Sequence, residues 1–369
     1  MKLIQTDKET LLKPLQTVTG IVERRHTLPI LSNVLIERRN EEISFIATDL
    51  EIQITTSAQD SNTISEGGSV TVAAKKLQDI LRALPDKTEV ILEIDENRLH
   101  GKAGKSRFNL QTLPVEDFPK FPENTESQAK ITVKQKELKQ LLFLVQYAMA
   151  QQDIRYYLNG LLLLMEENQL RVVATDGHRL AFALLVLDVP QEKREVILPR
   201  KVVLELAKQL NDSEEPVIVE LLQNQVRFTF SNVALISKVV DGKFPDYNRV
   251  IPTGYQKHFD VNRLLFLQTL QRASILSNEK FRGVRLILTT GNLRIVCNNS
   301  EQEEAQEELE VEYDGEALDI GFNVTYLLDV LNNLTSEKVQ CSFGDANSSA
   351  LITIPGNEDF KYVVMPMRI

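Results

Sequence analysis

The chain has 369 residues, of which 43% are hydrophobic and 25% charged, and a net charge of −10. That length exceeds what one hydrophobic core usually serves and predicts two or three domains, while the composition excludes a largely disordered or collagen-like chain. An acidic balance argues against nucleic-acid binding, provided that the charge is evenly spread.

The opening "MKLIQTDKETLL" carries charges within its first nine residues and no apolar run of signal-peptide length. The longest apolar runs, "LLLLM" at 161–165 and "LAFALLVL" at 180–187, fall well short of the roughly 20 residues that span a bilayer. Cys297 and Cys341 lie far apart in strand-like stretches, so no disulfide framework is expected. A cytoplasmic protein without a membrane partner is the expectation.

Taken in order, the elements repeat. "KLIQTDKETLLKPL" runs a strand into a helix over 7–18, "EISFIATDLEIQI" runs a strand into a turn, and "VTVAAKKLQDILRAL" from Val70 leads into a helix over 75–84. The second series has "KITVKQKELKQLLFLV" with a helix over 134–147, then "QLRVVATDGHRLA", then "VILPRKVVLELAKQL" from Val196 with a helix over 199–210. The third has "KHFDVNRLLFLQTL" with a helix over 260–273, then "NLRIVCNNSEQEE", then "IGFNVTYLLDVLNNL" from Ile320 with a helix over 323–334. The starts at Val70, Val196 and Ile320 are 126 and 124 residues apart, and Asp49 precedes Asp176 by 127. Such a period identifies three copies of one unit.

Strands such as "VRFTFS" and "EVILEI" alternate apolar and polar residues, which suits antiparallel sheets with one buried face. Leu138, Leu141, Leu142 and Val145 recur at helical spacing and form one apolar stripe for a core. The expected fold is therefore α+β, with two helices per unit packed on antiparallel sheets. Polar, turn-rich junctions near 124–130 and 252–257 place the domains at 1–127, 128–254 and 255–369.

The charge is not evenly spread. The six helical segments together carry +6, leaving −16 on the rest of the chain. If unlike chain ends pair head to tail, a closed ring can form. Basic helices would then line a channel that attracts phosphate without reading bases. Candidates are Lys75, Lys76, Arg82, Lys134, Lys136, Lys139, Arg200, Lys201, Lys208 and Arg263.

Enzyme motifs are missing. His26, His100, His178 and His258 show no metal-ligand spacing, and the chain has no CxxC, GxSxG, GxxxxGKS/T or GxGxxG pattern. No metal and no cofactor is expected. The one catalytic candidate is "ATDGHRLA" at 174–181, where Asp176 could orient His178 as the base of a hydrolase. At the matching place the first unit reads Asp49-Leu50-Glu51 and the third Asn299-Ser300-Glu301, so the repeat itself does not need Gly177-His178-Arg179. The tail "YVVMPMRI" is also unusual, since it stays apolar to the end and Pro366 bars it from a central strand.

"QQDIRYYLNG", "VATDGHRLA", "VDGKFPDYNRVIP", "ILSNEKFRGVRL", "NNSEQEEAQEE", "GFNVTYLLDVLNNL" and "YVVMPMRI" occur in that order along the chain, which resembles the beta subunits of bacterial DNA polymerase III, the sliding clamps. The resemblance implies a non-enzymatic processivity factor: a head-to-tail homodimer whose six domains ring duplex DNA. It would tether the replicative polymerase, the clamp loader, and other polymerases and repair proteins through a short linear motif rich in Gln, Leu and Phe.

By resemblance, the peptide pocket comprises Leu158, Thr175, Gly177, His178, Arg179, Leu180, Pro245, Arg249, Val250, Asn323, Tyr326, Val363, Met365, Pro366, Met367 and Arg368. Arg25, Gln152 and Arg155 would face DNA together with Lys75, Lys136, Arg200 and Lys201. At the ring interface, Ile275 and Leu276 would meet Phe108 and Leu110, and Glu301, Glu303 and Glu304 would face Lys76, Lys105 and Arg107. The chain departs from the family at Asn248, where a basic residue is common, and at Ile369, where leucine is usual. Two alternatives remain: the hydrolase built on Asp176 and His178, and a scaffold of the same fold that binds no DNA.

Overall fold

A computed structural model describes residues 1–23, 27–60, 67–122 and 125–368. Arg25 and His26 therefore lie outside the described residues.

Six α-helices occur among the described residues: α1 (Lys8–Thr19), α2 (Ala74–Ala83), α3 (Gln135–Val145), α4 (Arg200–Gln209), α5 (Arg263–Ala273) and α6 (Val324–Asn333). Each falls on one of the six helical segments expected from leucine spacing. Three of them start where a strand ends in a short polar residue that takes up an orphan amide. Asp7 accepts from Thr10 N–H at 3.0 Å, Asn262 from Leu265 N–H at 3.0 Å, and Asn323 from Thr325 N–H at 2.9 Å.

The chain divides into two compact units, residues 1–138 with 204–239, and residues 139–203 with 240–369. The first holds a twelve-stranded antiparallel sheet, counted over the described residues. In it the first repeat's strand Ile52–Gln59 pairs with the second repeat's strand Val233–Lys238. Helix α1 packs on α2 and on the strands Glu42–Thr48 and Ile52–Gln59 of this sheet. Leu11, Leu15 and Val18 are the buried stripe of α1, each at most 1% exposed.

The second unit holds two antiparallel sheets. A six-stranded one runs, in hydrogen-bonded order, through Gly160–Thr175, Arg179–Pro199, Asn357–Val364, Ala350–Ile354, Lys338–Phe343 and Lys257–Asn262. A four-stranded one runs through Glu304–Glu310, Asn292–Asn298, Gly283–Thr289 and Leu318–Asn323. The six-stranded sheet thus joins strands of the second and third repeats, because an exposed strand edge is a row of unpaired backbone groups that a neighbouring repeat can satisfy, whereas the four-stranded sheet is built from third-repeat strands alone.

Phe322 is fully buried, and its ring lies 6.4 Å from that of Phe343, which in turn stacks 5.9 Å from Phe259. Phe322→Ala should therefore cost about 3–5 kcal/mol, since the cavity cannot close around a lost ring. Chemical unfolding of the variant should show an earlier midpoint for this unit, and an unchanged midpoint would contradict the packing described. Among the described residues no helix is long and apolar enough to cross a membrane.

Candidate functional site

The turn at 175–179 joins the strands Gly160–Thr175 and Arg179–Pro199. Asp176 builds it: one carboxylate oxygen accepts from His178 N–H at 2.9 Å and from Arg179 N–H at 3.0 Å, and the other accepts from Arg179 Nε at 3.1 Å. Thr175 Oγ1 accepts from Gly177 N–H and donates to Arg179 O. Gly177 sits at φ +88°, where a side chain would be strained and would lie 2.9 Å from the Arg155 guanidinium. Asp176 is thus committed to shaping the turn, and the hydrolase reading is left without support.

The tail runs beside this turn. Val364 pairs with Arg179 and Val363 with Leu180, and beyond the strand Met365 N–H donates to His178 O at 2.9 Å. Pro366 has no amide to continue the ladder, and Met367 N–H donates instead to Gly321 O at 2.8 Å. Turn and tail therefore form two adjoining walls. Beneath them Leu180 and Val363 join Val173, Phe182, Phe244 and Tyr247 in one apolar cluster, with the Phe182 and Tyr247 rings 5.8 Å apart. Tyr157, Val240 and Ile251 pack against its edge while partly exposed. His178 and Met365 stand exposed above it, Met365 at 49%. Such a floor with a few polar groups at its rim is the ordinary make-up of a site for an extended peptide.

The Arg179 side chain is largely buried, at 10% exposed. Nη1 donates to Asp329 at 2.5 Å, Nη2 donates to Tyr147 O at 2.7 Å, and the guanidinium carbon lies 4.4 Å from the centre of the Tyr326 ring. Burial works against its charge, and Tyr362, Asp329 and Asp176 more than offset this, so its pKa lies above the usual value. Asn323 is likewise committed, as the cap of α6. Leu158 and Thr175 are buried, whereas Pro245, Arg249 and Val250 are exposed, with Arg249 paired to Asp246 at 3.0 Å. Met367 and Arg368 line a further cavity of about 370 Å³ with Asn278, Phe281 and Asn298. Asp329, Tyr147 and Tyr362 escape sequence reasoning, because nothing in their own neighbourhoods marks them as partners of Arg179.

Several basic residues expected to face DNA have partners of their own. Lys136 pairs with Glu214, Arg200 donates to Met149 O at 3.1 Å, and Arg155 holds Asp153 at 2.8 Å while donating to Asp176 O at 3.1 Å. Arg263 donates to Leu331 O and Ser336 O, which makes it a brace for the end of α6. Lys75 and Lys201 are half-buried, and Gln152 is exposed.

The hydrogen bond from the Arg155 side chain, followed by that from its amide, holds the Asp153 carboxyl down to about 2. A depressed carboxyl contributes its stability fully above its ordinary pKa of 3.8 and loses it as pH falls through about 2. The Asp153 carboxyl resonance should therefore titrate near 2, and a midpoint near 3.8 would show that the pair does not persist in solution.

Among the residues expected at a chain–chain contact, Phe108 and Leu110 line an apolar slot with Leu77, Ile80 and Leu99. Ile275 is 77% exposed on a short 3-10 turn, Ser274–Leu276. Glu301, Glu303 and Glu304 are exposed, and Glu304 opens an edge strand. Lys76, Lys105 and Arg107 are exposed too.

Three tandem copies of a helix pair on antiparallel sheets, with the turn 175–179 and the tail strand laid against one apolar cluster, define a clamp-type binding protein. Models of the DNA polymerase III beta subunit match all three copies: the N-terminal domain over residues 1–122, the central domain over 132–246 and the C-terminal domain over 248–368. The chain is 49% identical to the beta sliding clamp of Pseudomonas putida over 363 residues, covering 98% of each, and 43% identical to that of Escherichia coli, covering 98% and 99%. A crystal structure of the DNA polymerase III subunit beta from Pseudomonas aeruginosa matches with a TM-score of 0.96 at 46% identity over all of both chains. A Pseudomonas aeruginosa clamp bound to griselimycin has a TM-score of 0.96 at 47% identity over both chains. The chain belongs to the DNA polymerase III beta subunit family, the beta sliding clamps, which are DNA-tethering processivity factors and not enzymes.

Proposed function

We propose that the chain closes as a head-to-tail homodimer, a ring of six domains (1–127, 128–254 and 255–369 of each copy) that slides on duplex DNA in the cytoplasm. In the cleft beside Leu180, Val363 and Met365 it captures a short linear motif of the replicative polymerase, the clamp loader, and other polymerases and repair proteins. The observation that carries the cleft is the Met365–His178 hydrogen bond, which joins tail and turn over one apolar floor. The griselimycin-bound relative, and a Caulobacter crescentus clamp with polyethylene glycol at a putative beta-motif tethering region, support it.

Lys75, Lys136, Gln152, Arg155, Arg200 and Lys201, with Arg25, are the proposed DNA-facing residues. Exposed ion pairs such as Lys136–Glu214 contribute little, so a phosphate can replace the carboxylate. Contacts of this kind are sequence-independent and easily exchanged, which suits sliding. For closure, the open edge of Glu304–Glu310 and the acidic residues Glu301, Glu303 and Glu304 suit the basic Lys76, Lys105 and Arg107 near the strand Ser106–Leu113. That strand pairs with Gly68–Ala73 only at Thr112 and Leu113, which leaves part of its other edge open as well.

His178→Ala and Met365→Ala should each raise the Kd of a fluorescein-labelled Gln-Leu-Leu-Leu-Phe peptide about tenfold or more, in the range of central contact residues. Fluorescence anisotropy measures it, and unchanged affinity in both variants would rule out the cleft.

A further inference from the structure

The cleft walls come from different elements, and their separation has to be maintained. The turn 175–179 belongs to a hairpin, the tail to a sheet strand, and Tyr326 to helix α6. Tyr362 O–H donates to Tyr326 O at 2.9 Å, which fastens the tail strand to the first turns of α6. On the other side, each terminal nitrogen of Arg179 is engaged outside the turn: Nη2 meets the neutral carbonyl of Tyr147, and Nη1 meets the carboxylate of Asp329. Asp329 and Tyr326 stand three residues apart on one helix face, and the same guanidinium holds the carboxylate of one and lies over the ring of the other.

Resting on the peptide-cleft reading, we infer that Asp329 is a positioning residue for peptide capture. It acts through Arg179, holding α6 and its Tyr326 at a set distance from the turn that carries His178. Arg179 then serves as an internal tie between two walls, not as a cation presented to the peptide. The Asp329 side chain is 33% exposed, so losing its charge leaves water able to fill in and the helix intact, while the tie loosens.

The test is the Kd of the fluorescein-labelled Gln-Leu-Leu-Leu-Phe peptide for the full-length protein. Asp329→Asn should weaken binding about tenfold, within the range known for residues that act through others, and Asp329→Glu should restore most of it. Val330→Ala, which truncates a fully buried side chain of the same helix, should lower the melting temperature yet leave Kd within about twofold. Combining Asp329→Asn with Arg179→Lys should add little to either alone, because both cut one tie. Binding unchanged by Asp329→Asn, or additive effects of the pair, would overturn the inference while leaving the cleft itself in place. Binding indifferent to His178→Ala and Met365→Ala would instead overturn the cleft.

Discussion

A single cut in a nicked circular plasmid should release the loaded protein almost completely, whereas the uncut circle should retain it through gel filtration at moderate salt. The physical reason lies in the separation of grip from retention. Phosphate contacts made by scattered lysines and arginines fall off steeply with salt, and several such residues here already hold carboxylates or carbonyls of their own, such as Lys136 and Arg200. They cannot account for long residence by affinity. A closed ring needs no affinity, because leaving requires either an end or an opened interface. The protein would be loaded by a bacterial clamp loader and followed by a fluorescent label, with circular and linear DNA compared at equal mass. Equal retention on both forms would mean that binding is by contact and not by topology, and the ring would have to be abandoned.

Replacing Ile275 with Asp should convert the dimer to a monomer. Ile275 is 77% exposed in the single chain, so its replacement costs the fold little, whereas in a head-to-tail ring it would be buried at both contacts. Each apolar side chain of this size contributes about 1.5–3 kcal/mol on burial, and a carboxylate forced into an apolar slot adds a desolvation penalty. With two contacts per ring, dissociation should be enhanced on the order of a thousandfold or more. Sedimentation would show the mass of one chain, 41.9 kDa, with an unaltered circular dichroism spectrum. The partner slot lined by Phe108 and Leu110 gives a matching test, since Leu110→Asp should have the same outcome from the other side. A dimer that survives both changes would put the contact elsewhere. Loss of the dimer should also abolish retention on the circle, which links the two experiments.

Much of this protein is legible in its residues. The helices α2 and α6, expected over 75–84 and 323–334, lie at Ala74–Ala83 and Val324–Asn333, because leucine spacing and the strand-ending Asn323 are local signals. Comparing one repeat with the others also marks Gly177-His178-Arg179 as an addition to the shared scaffold. Arg179 shows where such reading stops. The resemblance places it among the pocket residues, yet nothing local names its three acceptors, which come from residues 3, 32 and 150 positions away. Lys136 and Arg200 repeat the lesson, for their charge is written in the chain while their partners are not.

The helices and the alternation of the strands are written in residues close together in the chain, and the threefold repeat and the segregation of charge emerge from comparing its segments. Which strands share a sheet, that Val364 lies against Arg179, and that Met365 meets His178 across 187 positions emerge from the folded chain alone. Those pairings satisfy backbone groups that any strand edge offers alike, so no local pattern names the partner, and only packing of the whole chain selects it.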